Sequence, residues 1–258
     1  MDELDMSGRT VFVTGGGRGV GRAITERFLG LGAQVAICGR STPEDMPSVD
    51  GRRAVFYQCD VRSYEDSEAT VGQIASDLGG LDVLVNNAGG SPPGYVSDVS
   101  PRFLKAIIEL NLIGPLNMSK VANDVMQSSD SGGAIINISS VNGSRPSPGT
   151  AAYGSAKAGL LNLTTSLAVE WAPKVRVNAV TAGIIGTPEL FETYYGNDPV
   201  VIAALAAGVP MGRLATPDDI ANACVFLASP LSSHMTGANM VVDGGGTPLD
   251  THPKRADD

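Results

Sequence analysis

A tyrosine and a lysine four positions apart are the residues of this chain best suited to proton transfer. Tyr153 and Lys157 lie in a segment with helical periodicity, so their side chains share one face about one turn apart. A tyrosine with a pKa of about 10 is a poor base at neutral pH, but a neighbouring ammonium favours its phenolate. The pair could therefore exchange a proton with a substrate hydroxyl or carbonyl group. Taken alone, such a pair is more often an ordinary amphipathic helix face.

A cluster of glycines follows the first apolar run, in the segment Thr14-Gly15-Gly16-Gly17-Arg18-Gly19-Val20-Gly21. Between a strand and a helix, such a turn lets the N–H groups of the helix approach and attract a pyrophosphate. The spacing is G-x-x-x-G-x-G rather than G-x-G-x-x-G, and a tight turn without a ligand is the alternative. We expect a dinucleotide to contact Gly15, Gly17, Arg18, Gly19, Val20 and Gly21.

The choice of cofactor depends on the end of the second apolar run, Cys38-Gly39-Arg40-Ser41. Folds that use NAD tend to place a carboxylate here to bind the ribose hydroxyls, and this segment has none. Arg40, together with Arg18 from the glycine turn, supplies two cations where a 2′-phosphate would lie. The sequence therefore favours NADP(H), while NAD(H) remains possible and either arginine could be a solvated surface charge.

Short apolar runs alternate with longer helical patterns along the chain. The runs cover 9–14, 34–38, 54–58, 81–85, 134–138, 175–180 and 239–242, and the helical patterns lie near 20–31, 65–78, 101–127, 151–171 and 217–228. This alternation predicts an α/β fold, a doubly wound, Rossmann-type parallel sheet of about seven strands with helices on both faces. We expect one domain over residues 1–258. Irregular stretches at 41–52, 89–100, 139–150 and 182–217 should crowd the carboxyl edge of the sheet, where ligands bind.

Composition excludes several classes of protein. With 27 acidic and 18 basic residues the net charge is −9, which argues against a nucleic-acid partner. No apolar run approaches the roughly 18 residues of a membrane span. Three scattered cysteines and two histidines suggest neither a disulfide framework nor a metal site. The acidic residues 1–5 lack signal-peptide features, so we predict a cytoplasmic protein, with a flexible tail at 246–258.

Four ordered motifs resemble those of the short-chain dehydrogenase/reductase family, in its branch of roughly 250 residues. They are the turn at 14–21, the segments Asn86-Asn87-Ala88-Gly89 and Tyr153-Gly154-Ser155-Ala156-Lys157, and the ending Val242-Asp243-Gly244-Gly245. The similarity runs from residue 9 to about 245. It implies an oxidoreductase that transfers a hydride between a nicotinamide cofactor and an alcohol or ketone.

The resemblance also implies catalytic roles for four residues. Tyr153 would be the acid/base, and Lys157 would tune its pKa and contact the cofactor ribose. Ser140 would bind the substrate oxygen, although this serine or its neighbour Ser139 could be a plain turn residue. Asn111 would hold a water in a relay to Lys157, with a local kink or a core hydrogen bond as the alternative.

Further cofactor contacts follow from the same resemblance. They are Asp60 and Val61, with the aspartate at the adenine; Asn87, Ala88 and Gly89 on the adenosine-ribose side; and Gly183, Ile185 and Thr187 at the nicotinamide and pyrophosphate. Asp60 could instead cap a helix, and Asn87 could stabilise the sheet. Ala182 stands where the family usually has proline, which leaves the rigidity of this turn open.

An apolar stretch at 189–209, inside a predicted substrate lid at 182–217, bears on the substrate. It contains Leu190, Phe191, Tyr194, Tyr195, Val200, Val201, Ile202 and Leu205. We expect a fatty, alicyclic or steroid-like alcohol or ketone. The alternatives are an NAD-linked dehydrogenase, a 3-oxoacyl-thioester reductase, a sugar-nucleotide epimerase and a catalytically silent cofactor-sensing protein. Excess apolar surface on the helices at 101–127 and 151–171, with the family resemblance, predicts a homotetramer, with a dimer as the fallback.

Overall fold

A parallel seven-stranded sheet forms the centre of the protein, whose computed structural model describes residues 3–246. The strands of this part are β1 (Thr10–Thr14), β2 (Gln34–Gly39), β3 (Ser48–Val49), β4 (Arg52–Arg53), β5 (Val55–Gln58), β6 (Val83–Asn86), β7 (Gly133–Ser140), β8 (Val175–Ala182) and β9 (Asn239–Val242). The sheet has the order β5-β2-β1-β6-β7-β8-β9, and all its neighbours pair in parallel. The predicted doubly wound α/β sheet is confirmed.

Helices cover both faces of this sheet. They are α1 (Gly19–Gly30), α2 (Tyr64–Leu78), α3 (Pro101–Ile108), α4 (Gly114–Ser128), α5 (Ala151–Trp171), α6 (Pro188–Tyr195), α7 (Pro199–Ala207) and α8 (Pro217–Ala228). Their ends follow local chemistry. The hydroxyl of Ser63 accepts the N–H of Asp66 at 3.0 Å at the start of α2, and Thr216 and Asp219 form a reciprocal capping box on α8.

Two apolar layers explain why the strands lack a polar face. Val11 and Val13 of β1 pack into a cluster with residues of α1 and α8. Phe12, between them, points to the opposite face and joins a cluster with residues of α2, α4 and α5. Successive side chains of a strand point to opposite faces, so a strand buried on both sides must be apolar throughout.

The helix predicted at 101–127 is interrupted by a π-helical turn at Glu109–Ile113. Pro115 follows Asn111 by four residues and has no N–H, so it cannot donate the α-helical bond to the main-chain carbonyl of Asn111. The side-chain amide of Asn111, for its part, donates to the carbonyl of Ile107, four residues earlier, at 2.9 Å. The core hydrogen bond named as an alternative for Asn111 is therefore present.

The stretches predicted as irregular contain short elements. Residues between β2 and β5 are all described, and they form the antiparallel pair β3–β4 in place of a helix. Residues 182–217 form α6 and α7, which pack on a small cluster centred on Leu205, Val209 and Leu214. Of the tail predicted at 246–258, residues 247–258 lie outside the described residues.

Candidate active site

A cleft of about 1440 Å³ lies along the carboxyl edge of the sheet. Ser140 and every residue predicted to bind the cofactor line this cleft, namely Gly15, Gly17, Arg18, Gly19, Val20, Gly21, Arg40, Asp60, Val61, Asn87, Ala88, Gly89, Tyr153, Lys157, Gly183, Ile185 and Thr187. Asn111 is buried and lies behind the cleft wall, where it contacts Gly90. Residues that are far apart in the sequence therefore converge on one site.

Strand β7 and helix α5 position the proton-transfer residues. Lys157 is 3% exposed, its Nζ donates to the carbonyl of Ile138 at 2.8 Å, and it lies 5.6 Å from the ring centroid of Tyr153. The hydroxyl of Ser139 is buried and donates to the carbonyl of Lys157 at 3.3 Å, so it holds the strand against the helix. Ser140, the next residue, lies near enough to Tyr153 to lower the pKa of its phenol. Of the two serines, Ser140 is therefore the one next to the phenol.

Burial dominates the electrostatics of this pair. It lowers the pKa of Lys157 to about 8, because the ammonium loses its hydration. It also raises the pKa of Tyr153, while the side chain of Ser140 acts in the opposite direction. The expectation that a neighbouring ammonium lowers the pKa of Tyr153 is not met in this structure, since burial is the larger cause. At neutral pH Tyr153 is a phenol, suited to donate a proton.

The main chain at Gly89 and Gly90 runs between Asn111 and Lys157. Asn111 accepts the N–H of Gly90 and donates to its carbonyl, both at 2.9 Å. A Cβ atom on Gly89 would lie 2.7 Å from Oδ1 of Asn111 and 3.3 Å from Nζ of Lys157. The lack of a side chain at Gly89 thus allows both polar groups to approach the same point.

The glycine turn fits the pyrophosphate of a dinucleotide. Helix α1 begins after Arg18 without a side-chain cap, so the amides of its first turn are available to an anion. A Cβ atom on Gly21 would lie 2.2 Å from the carbonyl oxygen of Gly15, which shows how closely the helix approaches the turn. Asn87 supports the turn, because its Nδ2 donates to the carbonyls of Thr14 at 2.9 Å and Gly15 at 3.3 Å.

The other end of the cleft carries several charges. Arg40 directly follows β2, is exposed, and lines the cleft. Asp60 is bound by Arg62, with Nε of Arg62 at 2.9 Å from Oδ1, and this hydrogen bond holds the pKa of Asp60 below its usual range. Sequence reasoning missed Arg62, which also lines the cleft. The signal was available, since an arginine two residues after a strand-end aspartate can form a local ion pair.

The region after β8 is held by the sheet and by α6. Strand β8 continues through Ala182, which pairs with both Ser140 and Val242. The N–H of Gly183 donates to the carbonyl of Val242 at 3.0 Å, so this position is held by the sheet without the family's usual proline. The hydroxyl of Thr187 accepts the N–H of Leu190 at 3.3 Å and caps α6.

The apolar residues of the predicted lid divide between two environments. Phe191 and Leu205 pack within the cluster of the lid itself. Val200 is 75% exposed and does not face the cleft. From the eight residues, Leu190, Tyr194 and Tyr195 line the cleft. Much of the apolar character of this segment therefore stabilises the lid rather than contacting a ligand.

Residues 3–246 contain neither a cluster of metal ligands nor a helix able to cross a membrane. Within them, no group of three or more histidine, cysteine or acidic residues is placed to hold a metal ion. No helix there combines the length and the apolar character that crossing a membrane requires.

Comparisons with known proteins agree with this geometry. A family model described as enoyl-(acyl carrier protein) reductase matches residues 15–247. An uncharacterized oxidoreductase of Mycobacterium tuberculosis is 37% identical over 250 residues, which cover 95% of this chain and 94% of the relative. The acetoacetyl-CoA reductase of Shinella zoogloeoides is also 37% identical, with 92% and 98% covered. The solved ligand-free structure of Thermoplasma acidophilum aldohexose dehydrogenase is 34% identical, covers 97% of this chain and 99% of its own, and has a TM-score of 0.87.

These matches span nearly the whole chain, and they agree with the sheet order and with the motifs that converge on the cleft. The protein is an NAD(P)(H)-dependent oxidoreductase acting on CH–OH groups, and it belongs to the short-chain dehydrogenase/reductase family.

Proposed function

We propose that the protein transfers a hydride between NADP(H) and a secondary alcohol or ketone, with Tyr153 as the acid/base. The observation that carries this proposal is the arrangement of three residues in one cleft. Ser140, Tyr153 and Lys157 all line the cleft that also holds the glycine turn, and Nζ of Lys157 lies 5.6 Å from the ring centroid of Tyr153. A cofactor-sensing protein without activity would have no need of this set.

The side chains divide the work of carbonyl reduction. When bound, the reduced nicotinamide supplies a hydride to the carbonyl carbon. The hydroxyls of Ser140 and Tyr153 donate hydrogen bonds to the carbonyl oxygen, and Tyr153 gives up its proton as that oxygen gains charge. Lys157, whose pKa is about 8, can supply or accept a proton near neutral pH and so restore Tyr153. In alcohol oxidation the same groups move the proton in reverse.

Asn111 would connect Lys157 to water through its main chain. The amide hydrogens of its side chain donate to Gly90 and Ile107, so the side chain is committed to holding the wall of the cleft. The main-chain carbonyl lacks its usual α-helical donor, because the residue four positions later is Pro115. A carbonyl without that donor is suited to accept a hydrogen bond from a relay water.

We also propose that the substrate is hydrophobic. Ile184, Leu190, Tyr194 and Tyr195 line the cleft and give the substrate end an apolar wall. They support a fatty, alicyclic or steroid-like ketone or alcohol. The 37% identity to an acetoacetyl-CoA reductase supports a 3-oxoacyl thioester as the second candidate.

This function can be tested with a panel of substrates, and the absorbance of the nicotinamide reports turnover of each one. Cyclohexanone, 2-decanone, a steroid ketone and acetoacetyl-CoA would each be offered with NADPH and with NADH. We expect the highest kcat/KM for a hydrophobic ketone with NADPH. A preference for acetoacetyl-CoA would favour the second candidate, and the absence of turnover with every member would contradict the proposal.

NADP(H) is proposed because Arg18 and Arg40 line the cleft at the adenosine end. Glu44 also lines this end, and a carboxylate there favours the alternative, an NAD-linked dehydrogenase. Arg40→Ala should raise the KM for NADPH by about 10- to 100-fold, since a hydrogen bond to a charged group contributes about 1.5–3 kcal/mol, and should leave NADH little affected. Gly39→Asp should act in the same direction by repelling the phosphate.

Arg53 provides the control for Arg40, because it is exposed on β4 and lies outside the cleft. Arg53→Ala should leave both KM values unchanged. If Arg40→Ala changes the KM for NADPH and NADH equally, the 2′-phosphate does not lie beside Arg40. A loss of NADH binding in Glu44→Gln would then support the NAD-linked alternative.

We also propose a homotetramer, with a dimer as the fallback, in a cytoplasmic protein without a nucleic-acid partner. Val169 of α5 is 82% exposed, and Ile113 and Leu116, near the start of α4, are each 37% exposed. Pairing these helices with symmetry mates would remove their apolar side chains from water. Light scattering at micromolar concentration should give about four times the chain mass of 26.5 kDa. A stable monomer would contradict this assembly.

A further inference from the structure

The lid contacts the opposite side of the cleft through one side chain. The hydroxyl of Tyr194, near the end of α6, donates a hydrogen bond to the main-chain carbonyl of Ser91. Ser91 lies in the loop after β6, 103 residues earlier in the sequence. Both residues line the cleft. This bond therefore joins the lid to the loop that follows β6 on the opposite side of the cleft.

The acceptor loop is itself held in place. Asn111 bonds both the N–H and the carbonyl of Gly90, the residue directly before Ser91. Further along, the N–H of Gly94 donates to the carbonyl of Gly149 at 2.7 Å. Because the loop is fixed at both places, the carbonyl of Ser91 offers a fixed point to the lid.

Tyr194 is also close to the proton donor. Burial raises the pKa of Tyr194 to about 12, and the phenol of Tyr153 is the next largest cause. The hydroxyl of Tyr194 is therefore protonated at neutral pH and remains a donor to Ser91. The ring of Tyr195 lies 6.2 Å from that of Tyr194, centroid to centroid, and supports it from the neighbouring position.

We propose that Tyr194 determines substrate size by forming the wall of the substrate site beside Tyr153, at a distance fixed by its bond to Ser91. The inference rests on the proposed ketone-reductase function. It adds that the lid selects substrates by the size of the group that lies toward α6. A ketone with a small or narrow group toward α6 fits beneath the fixed ring, whereas a bulky group must break the bond to Ser91. No sequence motif assigns this role to Tyr194.

The test compares a narrow ketone with a bulky analogue, cyclohexanone against 2-decalone. Tyr194→Phe keeps the ring but loses the hydroxyl, so the preference for cyclohexanone in kcat/KM should fall by about tenfold, in the range that pocket sterics confer. The change should appear mainly as a lower KM for 2-decalone, because this ketone no longer has to break the bond to Ser91, and kcat should change less, because the proton donor is untouched. Tyr194→Ala should lower the preference further by opening the wall.

Tyr64→Phe is the matched control, since Tyr64 lies outside the cleft and its hydroxyl accepts a hydrogen bond from Lys120 at 3.1 Å. It should leave the preference unchanged. A preference in both Tyr194 variants equal to that of the wild type would overturn the inference.

Amide hydrogen exchange supplies a readout that does not depend on turnover. In the free protein, amides of residues 189–195 should exchange about tenfold faster in Tyr194→Phe than in Tyr64→Phe, because α6 loses a tertiary bond. Equal exchange in the two variants would show that the bond does not hold the lid and would overturn the inference. Wild-type protein that reduces no member of the substrate panel contradicts the proposed function instead, and the exchange result still decides the role of the Tyr194 hydroxyl.

Discussion

Tyr153→Phe should reduce turnover by about 10²- to 10⁴-fold, the usual contribution of a general acid–base group. The ring remains to fill its half-buried position, so the fold and the affinity for the cofactor should change little. What disappears is the proton that the phenol gives to the substrate oxygen. The measurement is kcat for the best ketone of the panel, with cofactor affinity determined separately by fluorescence titration.

Tyr64→Phe again serves as the control, because it removes a phenolic hydroxyl at the start of α2, outside the cleft. It should retain wild-type turnover. If Tyr153→Phe turned over within a few-fold of the wild type, proton transfer would have to come from another group. If Tyr153→Phe instead lost cofactor affinity along with kcat, the hydroxyl would contribute mainly to positioning.

The fold could be predicted from the sequence because its signals are local. Val11, Phe12 and Val13 are all buried, two on one face of the sheet and one on the other. A run of this kind identifies a strand that is covered on both sides. Because such runs alternate with helical patterns, only a few ways of connecting the strands in a sheet are possible. The glycine turn is equally local, since a strand end and a helix start flank it directly.

The π-helical turn was missed although a signal for it exists. Pro115 stands four residues after Asn111, where it removes one α-helical hydrogen bond. The apolar periodicity of 101–127 outweighed that one position in the prediction of a continuous helix. The lid shows a different limit. Composition made Phe191 and Leu205 candidates for substrate contact, but it cannot say whether an apolar side chain packs on a ligand or on a neighbouring helix.

The contact between Tyr194 and Ser91 lies beyond sequence reasoning altogether. The two residues are 103 positions apart, and neither belongs to a motif. Their contact depends on how α6 lies across the cleft, which is a property of tertiary packing. The pKa of Tyr153 is a similar case, because the helical spacing to Lys157 is local whereas the burial that raises the pKa is not. That Ser140, Tyr153 and Lys157 meet in one cleft was therefore accessible from the sequence, but the electrostatics of these residues were not.

Gly21→Ala should raise the dissociation constant for NADPH by about a hundredfold, or about 2.7 kcal/mol of binding free energy. The added Cβ would lie 2.2 Å from the carbonyl oxygen of Gly15 and 2.5 Å from Nδ2 of Asn87. The nearer of these two atoms belongs to the backbone of the turn itself, so the start of α1 must move away from it. That movement costs about 1–3 kcal/mol as overpacking and displaces the amides expected to bind the pyrophosphate.

Gly72→Ala is the matched control, because Gly72 lies within α2 and nothing is within 4 Å of its added Cβ. It should leave NADPH binding unchanged and raise the free energy of unfolding by about 0.5–1 kcal/mol, since alanine is the better helix former. Urea unfolding followed by circular dichroism gives the stability of both variants, and titration of the folded proteins gives their affinity. A folded Gly21→Ala protein that binds NADPH within threefold of the wild type would show that the amides at the start of α1 do not hold the pyrophosphate. The close approach of Gly21 to Gly15 would then serve the packing of α1 on the sheet alone.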